Sequence, residues 1–294
     1  MMTIRCALSG VMLGLCLLGT PLLRPALADT GAVQTMDPSL AARLASLSDT
    51  MQVGPIIDVM HDEGLAYGAT MAEDMFAAGP DARWGQVVAG IYDAQAMKDV
   101  FNTHFAAALA AHPEELAAIE DFFGSDRGQR ILQLEVTARR ALLDTAVEEA
   151  AKVTAEDMAV DHDPRLALLQ DFVTAGDLIE MNVMGAMNAN LAFYQGMSEN
   201  GALGAEMTED QILMDVWDQE PRVRADTEAW LIPYLAMAYQ PLSDTDLEAY
   251  TAFWESDAGH QLNAALFASF DVMFTDISRN LGRAAARQMQ GDDI

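Results

Sequence analysis

The feature that most constrains this chain is an ordered internal recurrence. Asp37-Pro38-Ser39-Leu40-Ala41 returns as Asp163-Pro164-Arg165-Leu166-Ala167, 126 positions on, and Leu65, Ala66 and Met71 return as Leu191, Ala192 and Met197 at the same spacing. Phe122-Phe123-Gly124-Ser125-Asp126-Arg127-Gly128 returns as Phe253-Trp254-Glu255-Ser256-Asp257-Ala258-Gly259, 131 positions on. The chain therefore reads as a tandem duplication with about five extra residues in the second copy. Duplication predicts architecture and names no chemistry.

Residues 1–28 read as a secretory leader. Arg5 supplies a positive start, an apolar run follows from Cys6 to about Leu18, and Ala26-Leu27-Ala28 forms an A-x-A cleavage site before Asp29. That is the plan of a signal peptide, with an apolar stretch too short for a comfortable membrane span. Cys16 sits too early for a lipid anchor, and Leu15 before it is too large. Both cysteines, Cys6 and Cys16, fall in this segment, so the mature chain is expected to have no disulfide, thiol nucleophile or thiolate metal site. The expected location is the periplasm or the exterior, with cleavage after Ala28 and no stable membrane span afterwards.

Charge narrows the partners. Residues 1–28 carry two arginines and no acid, so their removal takes the net charge from −29 to −31. Lys98 and Lys152 are the only lysines. Such a field repels nucleic-acid phosphates and anionic lipid.

The rest reads as all-α. Alanine, leucine, methionine and glutamate are abundant, and all favour helix. Apolar residues recur at three and four: Leu262, Ala265, Leu266, Phe270, Met273, Phe274, Ile277 and Leu281 mark one stripe, and Ile131, Leu134, Ala138, Leu142 and Val147 mark its twin, with arginines and glutamates between. Asp37-Pro38 and Asp163-Pro164 place a capping carboxylate before proline at the first helical position. Thr208-Glu209-Asp210-Gln211 fits a capping box, and Ser243 fits a cap. His112-Pro113-Glu114-Glu115 reads as a further helix start. Breaks are expected near Gly79-Pro80, Asn200-Gly201 and Gln240-Pro241. The Asp161-His162-Asp163-Pro164 junction divides the copies into 29–160 and 161–294. No linker separates them, so two units of about five helices each are expected to pack together.

The recurring corner has a structural logic. Phe122-Phe123 and Phe253-Trp254 end one helix with large apolar side chains. Ser125 and Ser256 stand where an N-cap is needed, and Asp126 and Asp257 put negative charge on the positive end of the next helix. Gly128 and Gly259, at the third position, permit close approach of the preceding helix. A long amphipathic helix is expected to begin near 126 and again near 257.

An acidic helix, then Phe-aromatic-x-Ser-x-x-Gly, then a long amphipathic helix resembles the bacterial domain-of-unknown-function family 2059, over about 105–150 and 236–285. Members often have proline after the serine; here Asp126 and Asp257 stand instead. The resemblance implies a helical exported protein in two copies. It implies no activity and carries over no catalytic residue.

No constellation in the chain nominates a reaction. Ser125 and Ser256 read as caps, with no G-x-S-x-G elbow around them. His61, His104, His112, His162 and His260 lack ligand spacing, and surface placement is expected. Met181, Met184 and Met187, at spacing three, could offer thioethers to cuprous copper, or simply fill core gaps. Trp84, Trp217, Trp230, Trp254, Phe253 and Tyr250 read as core anchors. The expectation is a non-catalytic binding or interaction module with no cofactor, serving an unknown envelope protein or small ligand, with its site between the copies. A hydrolase using paired carboxylates and a methionine-based copper binder are the alternatives.

Overall fold

The computed structural model describes residues 36–76, 79, 83–204 and 207–291, so the leader expected over 1–28 lies outside the described residues. Among the described residues every regular element is helical. The helices are α1 (Pro38–Thr50), α2 (Val53–Met75), α3 (Trp84–Ile91), α4 (Ala94–Ala110), α5 (Leu116–Phe123), α6 (Asp126–Ala141), α7 (Thr145–Val160), α8 (Pro164–Ala175), α9 (Leu178–Glu199), α10 (Glu209–Trp217), α11 (Glu220–Tyr239), α12 (Asp244–Trp254) and α13 (Asp257–Gln290). Seven precede the Asp161–Pro164 junction and six follow it, more than the five per half expected. None of them is long and apolar enough to cross a membrane.

Caps fix the boundaries. Asp37 accepts from the backbone N–H of Ser39 and Leu40, and Asp163 from that of Arg165. Thr208 and Gln211 close a reciprocal capping box, and Ser243 accepts from Asp246 N–H at 3.1 Å. The chain then turns from α1 to α2 through Gln52 (φ 55°) and from α8 to α9 through Asp177 (φ 44°). Both are left-handed non-glycine residues, a conformation that persists only where surrounding packing enforces it. The expected start at His112-Pro113 differs: α5 begins at Leu116, after a turn, with no side-chain cap.

The serine–glycine corners have one geometry. Ser125 Oγ accepts from Gly128 N–H at 3.1 Å and donates to the Phe122 carbonyl at 2.6 Å; Ser256 does the same with Gly259 and Phe253 at 3.1 and 2.6 Å. A Cβ on Gly128 would lie 2.3 Å from the Phe122 carbonyl oxygen, and one on Gly259 would lie 2.2 Å from that of Phe253. The corners also touch, because Phe122 stacks on Phe253 with centroids 4.4 Å apart, and Phe123 packs edge-on to the same ring. Arg127 bridges to Asp246 across them at 2.7 Å.

The expected second long helix in the first half does not form. α6 stops at Ala141, and Asp144 caps a separate α7 by accepting from Ala146 N–H at 2.8 Å. In α13 the same distance from the corner carries Met273, Phe274 and Thr275, with no capping acid, and the helix continues to Gln290.

Packing joins the halves into one core. α4 lies along α13, and α11 lies along α6 and α7, so each half lends a helix to the last helices of the other. Phe101 of α4 meets Phe270 of α13 with centroids 4.6 Å apart. One continuous apolar cluster runs from Leu44 to Ala285, with a small satellite of Val183, Met187, Ile212 and Val216 where α10 covers α9. α10 covers little else, and Trp217, expected in the core, is 61% exposed beside Leu213 and Met214 because only Ile212 and Val216 face inward.

Replacing Gly128 or Gly259 with leucine is expected to lower unfolding free energy by roughly 1–3 kcal/mol through overpacking of the corner. Urea unfolding checks it; an unchanged midpoint would show that the corner tolerates a side chain.

Candidate functional site

α6 carries two ionisable side chains into this shared core. Glu135 is 9% exposed and Arg139 is 1% exposed. They stand ten and fourteen positions after the capping Ser125; at the same distances after Ser256, α13 presents Leu266 and Phe270. All four residues border one cavity of about 60 Å³. Its remaining wall comes from both halves. Met51, Gln52, Val53 and Ile56 supply it at the α1–α2 joint. Phe172 and Leu178 supply it at the α8–α9 joint, and Tyr234, Leu235 and Tyr239 from α11. At roughly 10–15 Å³ per water-sized sphere, the space takes a handful of waters or a ligand head of a few heavy atoms. A wider outer groove of about 310 Å³ shares Gln52 and Val136 with the cavity and is bordered further by Pro55, Gln133, Thr137 and Arg140.

Glu135 is held by tyrosines. Its Oε1 accepts from the Tyr239 hydroxyl at 2.6 Å and the Tyr250 hydroxyl at 3.1 Å, and its backbone carbonyl accepts from the Tyr234 hydroxyl at 3.2 Å. No described residue donates to Oε2. Burial pushes the Glu135 carboxyl up to about 7, and the two hydroxyl donors only partly offset it. Burial first, and then the Glu135 charge, holds all three tyrosines well above their ordinary range, so they remain donors. Arg139 is handled differently. It meets Glu63 of α2 through two parallel bonds, Nε to Oε1 at 2.9 Å and Nη2 to Oε2 at 2.8 Å. Burial works against its charge, yet Glu63 outweighs that and raises the guanidinium pKa. Ionised Glu135 therefore leaves one net negative charge in an otherwise apolar, aromatic space.

The corner residues do not line this cavity. Phe122, Phe123, Phe253 and Trp254 pack between the halves, Ser125 and Ser256 cap, Asp126 and Asp257 stand in the first turns, and Gly128 and Gly259 admit the preceding helix. The three methionines occupy three surroundings. Met181 packs against the main core, Met187 lies in the satellite cluster, and Met184 is 53% exposed. His61 Nδ1 meets the Tyr92 carbonyl at 2.5 Å, and no group of three or more metal-ligating side chains occurs among the described residues. Glu135 and Arg139 lie outside the residues that the sequence singles out, because by type they join the polar side of α6. Their spacing held the signal: each lies four or eight positions from Ile131, on the buried stripe.

Comparison of the chain with family models, with curated proteins and with solved structures gives no match.

The Glu135 shift sets a pH dependence. Between about pH 4.5 and 7 the folded chain holds a proton that the unfolded chain has released. The stability contributed by this group is therefore fully present below about 4.5, falls as pH rises, and is lost above about 7. Glu135→Gln removes the titration. Its stability relative to the native chain is expected to rise across that window by on the order of 3 kcal/mol. Urea unfolding of both proteins over the range reads it out; a constant difference would place the carboxyl at its ordinary value.

Proposed function

We propose that this chain is an exported, non-catalytic binding protein, built from two copies of one helical unit, whose ligand seat is the cavity between the halves. The observation that carries the reading is the composition of that cavity. Its wall is apolar and drawn from both halves, and one buried carboxyl with an unengaged oxygen stands in it. Enclosed apolar space with few convergent polar groups is the usual form of a small-molecule site. A small ligand is favoured over an envelope protein as the partner on the same ground.

Duplication is supported by the recurrence of Asp-Pro starts, left-handed joints at Gln52 and Asp177, and serine–glycine corners in the same order. The resemblance to family 2059 rests on those corners and the helices on either side of them. Export to the periplasm or beyond is supported by the pattern ending at Ala28. The hydrolase alternative asks for two working carboxylates in one cleft. Glu135 has an unengaged oxygen, whereas Glu63, the acid paired nearest to the cavity wall, has both oxygens on Arg139. The copper alternative asks for converging thioethers, and Met181, Met184 and Met187 diverge.

Two measurements test the proposal. Protein recovered from the envelope of an expressing cell is expected to begin at Asp29 by N-terminal sequencing; a chain that retains residues 1–28 overturns export. Neutral apolar probes such as butanol are expected to shift the methyl NMR signals of Leu235 and Leu266. Val136→Phe, which adds bulk at a residue lining both groove and cavity, should abolish the shift without changing the fold. Absence of any shift in the native chain would overturn the cavity as a ligand seat.

A further inference from the structure

The proposed ligand seat has a charge preference written into its walls. Glu135 Oε1 is saturated by Tyr239 and Tyr250, whereas Oε2 receives no bond from a described residue and belongs to a side chain more than nine-tenths buried. Arg139 is engaged by Glu63 through two short, parallel bonds from Nε and Nη2. Aromatic rings stand around the same space: Phe172, Tyr234, Tyr239 and Phe270. A cation there would stand beside a carboxylate and aromatic side chains together, the two features that recognise organic ammonium groups. The protein as a whole, at a net charge of −29, draws cations inward and repels anions.

We infer that the cavity takes a small organic monocation, an ammonium head on an apolar body, with the head on Glu135 Oε2 and the body running past Val136 toward the outer groove. This rests on the reading that the cavity is a ligand seat. Binding should require ionised Glu135, so an ammonium ligand displaces the proton that the empty cavity holds near neutrality. The groups facing that carboxyl are Tyr234 and Tyr239 from α11 and Tyr250 from α12. Arg139 and Glu63 are paired at the cavity wall, and exposed Arg140 borders the outer groove, where water and salt screen it.

The test compares three probes of one shape: n-butylamine, n-butanol and butyrate. Each is titrated into the full mature chain by calorimetry at about pH 6 and about pH 8. Butylamine is expected to bind at least about tenfold tighter than butanol at the higher pH, to weaken at the lower pH, and to release protons; butyrate should not bind. Glu135→Gln should lose about tenfold in butylamine affinity while butanol stays within about twofold. If that variant does not fold, the pH dependence and proton release of the native chain decide the matter alone. Butanol or butyrate binding as tightly as butylamine would overturn the charge preference and leave the cavity as a seat for neutral ligands. Failure of all three probes would overturn both.

Discussion

The structure depends on an exchange of cover between its halves. α6 and α13 each present an apolar stripe that helices of both halves cover. α11 of the second half closes over α6, and α4 of the first half closes over α13. Apolar burial stabilises at about 25 cal/mol per Å² and has no direction, so the arrangement is selected by which stripes remain open and not by specific bonds. The corners then set the angle at which the stripes meet. Ser125 and Ser256 start the helices, Gly128 and Gly259 let the preceding helix come close, and the Phe122–Phe253 stack locks one corner on the other. Neither half has a finished core alone.

An exchange of this kind encloses whatever the stripes carry. On α6 that includes Glu135 and Arg139, sealed in by residues of the second half. Removing an ion from water costs several kcal/mol, and a paired buried charge commonly contributes no more than an apolar replacement would. Glu63 offsets the cost for Arg139. Tyr239 and Tyr250 do so only partly for Glu135, whose carboxyl consequently holds its proton near neutrality. The arrangement has the marks of a site whose local chemistry departs from what folding favours, and such departures concentrate where a protein works.

Much of the fold was legible because its causes are local. Asp37, Asp163, Thr208 and Ser243 cap where their spacing said they would, and the stripe from Leu262 to Leu281 is buried throughout. The errors have physical origins too. α6 ends early because Asp144 offers a cap that Thr275 at the matching place in α13 does not take up. Trp217 was assigned to the core by residue type, yet a nine-residue helix has room to bury only one edge. The candidate site was legible in outline, as a space between the halves, and its contents were not. By residue type Glu135 and Arg139 belong with solvent-facing charges; their spacing from Ile131 sets them on the buried stripe, and only the tertiary fold shows that α11 lies over it.

The positions that follow the two serine–glycine corners can be compared side by side. Ten and fourteen positions past the corner, α13 carries Leu266 and Phe270, both buried, while α6 carries Glu135 and Arg139, also buried and lining the same cavity. Leucine and phenylalanine fill their places on α13, which runs on intact around them. A fold that only needed filling would be served by the same pair in α6. Instead that wall holds a carboxyl with one oxygen unengaged and an arginine that brings in Glu63 from α2, facing an apolar wall of matching register. Packing accounts for the apolar side of the cavity; on the proposed reading, the polar side serves a ligand.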